Sequence, residues 1–95
     1  MTSLNDIRIY VKTKHRRTLA AVFHRPTSGN IRWSDIESLF KALGAEVQER
    51  QGSRVAVIFP GKTPAVFHRP HPSPMTDKGA VAAIRAWLKN LGYEP

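Results

Sequence analysis

The chain has 95 residues, of which 41% are hydrophobic, so it fits one domain with a single modest core. Lys and Arg number 15 against 7 Asp and Glu, which gives a formal net charge of +8, and there is no cysteine. This composition excludes a disulfide framework and a thiolate metal site, and it favours a polyanionic partner such as nucleic acid. The alternative is a basic surface that keeps the protein in solution or docks on an acidic protein.

The first residues are interpreted as an N-terminal extension (1–13) and the rest as a single domain (14–95). Within the extension, IRIYV alternates apolar and polar residues, which is compatible with an edge strand or an ordered arm. The start lacks the basic and then apolar regions of a signal peptide, and no apolar run approaches the length of a membrane span. We therefore expect a cytoplasmic protein that has no membrane partner.

A short helix is predicted first, in KHRRTLAAVFHRP. Leu19, Val22 and Phe23 have the i, i+3, i+4 spacing of one helix face. Pro26 ends the helix, because the residue before a proline avoids the helical conformation. The stretch AVFHRP is therefore a helix end, where His24 is expected to act as a cation near the last carbonyls.

A second helix is predicted after the turn signal TSGN. The segment IRWSDIESLFKALG carries apolar residues at helical spacing, and Gly44 is its expected C-terminal cap. Ser34 and Glu37 have the S-x-x-E spacing of an N-terminal capping box. The neighbouring Trp33 is expected to belong to the core rather than to a stacking surface, because it adjoins an apolar helical segment.

Three strands and a closing helix are predicted in the remainder of the chain. AEVQERQ, RVAVIF and PAVFHR have strand composition, and the turn signals QGS and PGKT between them indicate an antiparallel meander. The segment TDKGAVAAIRAWLKNLG is predicted to be a helix with Thr76 or Asp77 as its N-cap and Gly92 at its end. The order is α-β-β-β-α, preceded by a short extra N-terminal helix, so the fold class is α+β.

The hexapeptide AVFHRP occurs a second time, but in a different setting. Pro64 and Pro70 flank and end this copy, and proline excludes a helix, so the same six letters lie in an extended segment. A duplicated unit would keep its local structure, and the residues around the two copies differ. Coincidence is therefore favoured over an internal repeat.

Two imidazoles follow the third strand and are candidate catalytic groups. His68 and His71 precede the N-terminus of the last helix, where Lys78 completes a candidate phosphate site. Imidazole groups ordinarily titrate near neutral pH, so two of them can act as general base on a ribose 2′-OH and general acid on a leaving 5′-oxygen. The alternative is a rigid exit loop whose rings cap backbone groups. No metal site is expected, since HRPH offers two imidazoles and an intervening arginine.

Basic residues cluster on and beside the meander and on the last helix. The candidate nucleic-acid-binding residues are Arg50, Arg54, Lys62, Arg69, Lys78 and Arg85. Arginine binds phosphate through two parallel hydrogen bonds, and Arg54 opens the central strand directly after the small residues Gly52 and Ser53. The alternative is a solvated charged rim.

Several blocks of the sequence resemble the HicA family, small ribonuclease toxins of bacterial type II toxin–antitoxin modules. The blocks are RTL-AVF, IRW-DIE-L-ALGAEV, GSRV and AVFHRPHP-TDKGAV, where hyphens mark intervening residues, and the resemblance runs from about Lys14 to Pro95. It implies a fold like that of a double-stranded-RNA-binding domain, metal-independent cleavage of mRNA without a cofactor, and neutralisation by an antitoxin called HicB.

The sequence departs from that family at one position. Family members have Gly-Ser-His at the start of the second strand, with the histidine as the catalytic residue, whereas this chain has Gly52-Ser53-Arg54. Arginine stays protonated and cannot act as a general base, but it can stabilise the negative charge of a phosphorane. Three possibilities follow: the chemistry has moved to His71 or His68 with Arg54 as phosphate clamp, cleavage is lost and RNA is only bound, or the toxin acts by another route.

The leading hypothesis is an RNA-binding toxin that cleaves mRNA as an endoribonuclease, with His71, His68 and Arg54 as its catalytic residues. Its expected partners are RNA and a HicB-like antitoxin. A non-cleaving RNA-binding protein is the second hypothesis. The third is a basic module that docks on an acidic protein partner or on DNA.

Overall fold

The structure is a computed structural model that describes residues 11–95. Its helices are α1 (Thr13–Phe23), α2 (Trp33–Ala42) and α3 (Lys78–Asn90). Its strands are β1 (Ile31–Arg32), β2 (Glu46–Glu49), β3 (Arg54–Ile58), β4 (Ala65–His68) and β5 (Met75–Thr76), and a 3₁₀ turn (Gln51–Ser53) joins β2 to β3. The predicted extension (1–13) lies mainly outside the described residues. Its last residue, Thr13, is the first residue of α1.

The strands β2, β3 and β4 form the predicted antiparallel meander, with β3 in the centre. Val55 of β3 lies opposite Phe67 of β4, and both side chains turn toward the helices. Because side chains alternate along a strand, Arg54, Val66 and His68 lie on the opposite face of the sheet. The predicted α+β order, with an extra helix in front, is confirmed.

A single core fills the space between this sheet and the helices. Buried residues recur at helical spacing on α2 and α3, namely Ile36, Leu39, Phe40, Val81, Ile84 and Leu88. The ring of Phe40 lies 6.0 Å from that of Phe67 and 5.6 Å from that of Trp87, which joins both helices to β4. Trp33 is buried at 4% exposure, as predicted, and Tyr93 packs half-buried against Phe59.

A second sheet, of two short strands, was not predicted. Ile31 pairs with Thr76 and Arg32 with Met75, and the N–H of Trp33 donates to the carbonyl of Pro74 over 3.0 Å. Two-residue strands are too short for any period to show in the sequence. The pairing fastens the start of α2 to the segment before α3, and so limits where the loop after β4 can run.

The predicted capping box of α2 is wrong. The helix begins at Trp33, with Arg32 in the cap position and no side-chain cap, so Ser34 lies inside the helix. Glu37 instead accepts hydrogen bonds from the indole of Trp33 and from Arg69. The pairing of β1 sets the start of the helix. The carboxylate of Glu37 binds Arg69 instead of capping the helix.

The other helix ends largely match their predictions. Gly44 and Gly92 have φ of +99° and +95° just after α2 and α3, the left-handed conformation that closes a helix. α1 ends at Phe23, as expected. His24 is the C-cap residue of α1, and its Nδ1 lies 3.1 Å from the carbonyl of Pro26, beyond the helix. Its role as a cation at the helix end stays a prediction.

The N-cap of α3 gives a testable contribution to stability. The Oδ1 of Asp77 accepts a hydrogen bond from the N–H of Ala80 over 2.9 Å. We expect Asp77→Ala to lower the free energy of unfolding by about 1 kcal/mol, because the helix loses this cap. Urea denaturation followed by tryptophan fluorescence measures the change. The exposed carboxylate Glu94 is the control, and an equal loss in Glu94→Ala would contradict the role of the cap.

Candidate functional site

Arg54 and His68 lie opposite each other at the end of β3 and β4. Their Cα atoms are partners in the strand register, and both side chains are exposed on the sheet face away from the helices. The next pair inward, Val55 and Phe67, packs toward the core. A slip of one residue would turn Phe67 out into water, so core packing fixes the register that brings Arg54 and His68 together.

The turn before β3 holds an unusual backbone conformation. Gly52 and Ser53 have φ of +70° and +62°, and Ser53 is the one non-glycine residue with positive φ among residues 11–95. Such a conformation is costly for a residue with a side chain and persists where surrounding contacts enforce it. Here the carbonyl of Ser53 accepts from the N–H of Arg69, and the N–H of Arg50 donates to the carbonyl of Arg54, each over 2.8 Å. These two hydrogen bonds connect the turn to the start of β3 and to the residue after β4.

The guanidinium of Arg54 is held on one side and open on the other. Its Nε donates to the carbonyl of Gln51 over 3.0 Å, whereas its two Nη groups have no protein partner within the described residues. Arg54 lines an open groove of about 280 Å³ together with Arg50, Gln51 and Val66. Val66 is 56% exposed, which gives this groove an apolar wall beside cationic donors. That combination suits a phosphate with its attached sugar or base.

The two candidate imidazoles differ in their surroundings. His68 ends β4, is exposed, and makes no hydrogen bond to any residue that the structure describes. His71 is exposed in the loop between β4 and β5 and likewise makes no hydrogen bond within the described residues. The fold thus places His68 opposite Arg54 in the strand register. His71 remains a separate candidate three residues further along the chain.

Arg69, next to His68, is bound by two carboxylates. Its Nη2 and Nε lie 2.9 Å and 3.3 Å from Oε1 of Glu37, and its Nη1 lies 2.5 Å from Oε1 of Glu49. The hydrogen bonds that Arg69 donates, first to Glu37 and then to Glu49, raise the pKa of its guanidinium above the ordinary value. These contacts join α2 to β2 through the residue that follows His68. They also argue against the predicted phosphate contact of Arg69, because a phosphate would have to displace both carboxylates.

The other predicted basic residues do not form one patch with Arg54. Lys62 lies in the turn between β3 and β4, at the opposite end of β3, where it lines a separate groove with Tyr93. Lys78 begins α3, but the carboxylate of Asp77 already accepts a hydrogen bond at that helix N-terminus. Of the six predicted residues, Arg50 and Arg54 share a groove.

Arg85 has a structural contact of its own. Its Nη1 donates to the carbonyl of Val22 over 3.3 Å, and its Nη2 donates to Oγ1 of Thr27 over 3.0 Å. Arg85 therefore joins α3 to the end of α1, whereas the groove beside Arg54 lies on the sheet face away from the helices.

The described residues hold neither a metal-binding cluster nor a helix that could span a membrane. Residues 11–95 contain no group of three His, Asp or Glu side chains placed to hold a metal ion. Over the same residues, no helix has both the length and the apolar character that a membrane span requires. The absence of a metal from the reaction remains a prediction.

The comparison with protein families identifies the chain. The family model described as the HicA toxin of bacterial toxin–antitoxin matches residues 33–93, which is 61 of 95 residues. The chain belongs to the HicA toxin family. The matched span of this HicA toxin runs from the start of α2 past the end of α3 and contains both Arg54 and His68.

Family membership settles the general role of the protein. It is a toxin of the toxin–antitoxin kind, and HicA toxins have a cognate antitoxin and are typically ribonucleases. No curated protein and no solved structure gives a significant match to this HicA toxin. The helix α1 lies outside the matched residues.

Proposed function

We propose that this HicA toxin is an endoribonuclease that cleaves mRNA, with His68 as general base and Arg54 as the clamp of the reacting phosphate. The register of β3 and β4 is the observation that carries the proposal. It sets an exposed imidazole opposite an exposed guanidinium, at the strand start where the resemblance implies the catalytic histidine of the family. Arginine at that position cannot be the base, and its cross-strand neighbour can.

The proposed reaction is an internal transesterification of RNA. His68 takes the proton of a ribose 2′-OH, the 2′-oxygen bonds to the adjacent phosphorus, and the bond from phosphorus to the 5′-oxygen breaks. The products are a 2′,3′-cyclic phosphate and a 5′-OH. The free Nη groups of Arg54 stabilise the charge that builds on the phosphorane. His71, exposed in the following loop, is the candidate donor of a proton to the leaving 5′-oxygen.

The proposal includes the partners and the extent of the domain. A HicB-like antitoxin is proposed as the neutralising partner, and an mRNA substrate would place the action of the toxin in the cytoplasm. We also propose that residues 14–95 act as one domain. The burial of Leu19 and Val22 of α1 in the common core supports that extent.

A non-cleaving RNA-binding protein is the second candidate, and Arg54 at the position of the family's catalytic histidine favours it. Incubation of the purified toxin with RNA in excess chelator separates the two candidates. Cleaved RNA supports the endoribonuclease. Intact RNA, together with an RNA affinity that falls steeply as salt rises, supports the binding protein.

Glu37 is expected to position the catalytic strand end without touching RNA. It binds Arg69, whose N–H holds the carbonyl of Ser53 in the turn that precedes Arg54. We expect Glu37→Gln to lower the single-turnover cleavage rate roughly tenfold while RNA affinity stays unchanged, because loss of the ion pair loosens the geometry of the site. The control is Glu46→Gln, an exposed carboxylate of β2. Equal rates in the two variants, or a loss confined to affinity, would contradict a positioning role.

A further inference from the structure

The helix α1 gives the toxin a strongly basic segment that the family match does not include. Residues 7–34 contain no Asp or Glu. Exposed cations begin just before α1 and continue past its end, namely Lys12, Lys14, Arg16, Arg17 and Arg25. These are 5 of the 15 Lys and Arg residues of the chain, on a stretch of 14 residues (12–25). A third of the Lys and Arg residues therefore lies on or beside α1, outside the residues that the family model matches.

A groove of about 450 Å³ lies between the end of α1 and α3. Its apolar lining includes Phe23 and Ala86, and its basic lining consists of Arg25, Arg85 and Lys89. Glu94 is the single acidic residue of that lining. Cations outnumber acids by three to one around an apolar surface, so the groove is suited to an anionic ligand that also has apolar parts.

One cation of this groove is fixed and two are open. Arg85 is held by the carbonyl of Val22 and by Thr27, which places its charge between α1 and α3. Arg25 and Lys89 are exposed and have no hydrogen-bond or ion-pair partner within the described residues. The charges of Arg25 and Lys89 are therefore available to hydrogen-bond phosphates beside the fixed guanidinium of Arg85.

The groove lies away from the Arg54–His68 site. The ring of Trp87 packs against Phe59 and Phe67 and so marks the flank of α3 that faces the meander. Arg85 and Lys89, one turn apart, follow another flank of the same helix, since residues two apart in a helix point about 200° away from each other. A ligand in the groove would thus contact the toxin on a different side from the reacting phosphate.

We propose that the groove between α1 and α3 binds the phosphate backbone of the RNA substrate as a second contact, independent of base sequence. This inference rests on the proposed function, because it takes RNA as the substrate. RNA carries regularly spaced negative charges that Arg25, Arg85 and Lys89 can contact, and its sugars and bases can cover the apolar lining. The contact holds a long RNA while the Arg54–His68 site cleaves it.

The test is a pair of charge-matched double variants. Arg25→Gln with Lys89→Gln removes the open cations of the groove, and Arg32→Gln with Lys41→Gln removes two exposed cations outside it. Binding of a long, labelled single-stranded RNA is measured by fluorescence anisotropy over a series of KCl concentrations. Each lost phosphate contact is expected to reduce the slope of log affinity against log salt by about 0.7, so the groove variant loses about 1.4 and the control keeps its slope.

The outcomes separate this inference from the proposed nuclease. A groove variant with the affinity and salt slope of the control would overturn the inference. So would unchanged RNA binding together with weaker binding of polyglutamate, which would assign the groove to an acidic protein. Cleavage of an oligonucleotide too short to reach the groove should stay at the wild-type rate in the groove variant. Absence of cleavage by the wild type would reject the nuclease and leave the binding comparison valid.

Discussion

Replacing His68 by alanine is expected to lower RNA cleavage by about 10²- to 10⁴-fold, the usual contribution of a positioned general base. The side chain is exposed and makes no hydrogen bond within the described residues, so the fold should lose little when it is removed. The free energy of unfolding should change by less than about 0.5 kcal/mol. RNA affinity should also stay near that of the wild type, because the phosphate contacts come from arginine. Single-turnover cleavage, urea denaturation and fluorescence anisotropy with labelled RNA measure these three quantities.

The other occurrence of AVFHRP in the chain supplies a matched control for this variant. His24 occupies the same place in the first AVFHRP, but there the letters end a helix and its Nδ1 contacts the carbonyl of Pro26. His24→Ala should cleave RNA at the wild-type rate. Equal rates in His24→Ala and His68→Ala would reject His68 as the base. A loss seen in His71→Ala and not in His68→Ala would move that role to His71.

Neutralising Arg54 is expected to lower the cleavage rate by about 10²-fold, since removal of one donor to a developing oxyanion has effects of this size. The variant Arg54→Gln keeps a polar side chain of similar length and removes the charge. Arg54→Lys keeps the charge but lacks the planar pair of Nη donors, so its rate should lie between those of Arg54→Gln and the wild type. Rates under single-turnover conditions separate the chemical step from RNA binding.

The control for Arg54 is Arg32→Gln, which removes one exposed arginine from β1. It should cleave RNA at the wild-type rate. If Arg54→Gln matched that rate, Arg54 would have no part in stabilising the transition state. If Arg54→Gln lost affinity and kept its single-turnover rate, the residue would bind the substrate without clamping the reacting phosphate.

The elements of the fold were predictable where local signals agreed with the tertiary structure. Strong helical spacing and the glycines at positions 44 and 92 predicted α2 and α3, and turn residues between β-branched segments predicted the meander. The two copies of AVFHRP adopt different structures because Pro64 and the strand pairing act on the second copy alone. Flanking residues, not the six letters, decide the conformation.

The arrangement of the candidate site could not be predicted from the sequence alone. The pairing of Arg54 with His68 depends on which residues of two strands meet the core, and no local pattern gives that register. Spacing alone therefore left His68 and His71 as equal candidates. Once the register is known, the cross-strand position separates them.

The contacts that support the site were missed for a related reason. Glu37 and Arg69 are 32 residues apart, and Glu37 also fits the local capping-box pattern that proved wrong. A tertiary ion pair outcompeted the local hydrogen bond because β1 and β5 fix the start of α2 two residues before the position a cap at Ser34 would give. Neither two-residue strand carries a sequence signal.

The ends of the RNA fragments test the proposed chemistry most directly. Wild-type toxin is incubated with labelled RNA in excess chelator, and mass spectrometry identifies the fragment termini, with His68→Ala as the paired sample. Attack by the 2′-oxygen should give 2′,3′-cyclic phosphate and 5′-OH ends in the wild type, and about 10²- to 10⁴-fold slower release of the same fragments in His68→Ala. Intact RNA in the wild-type sample, or fragments that end in 3′-OH and 5′-phosphate, would contradict a metal-independent ribonuclease that uses His68 as its base.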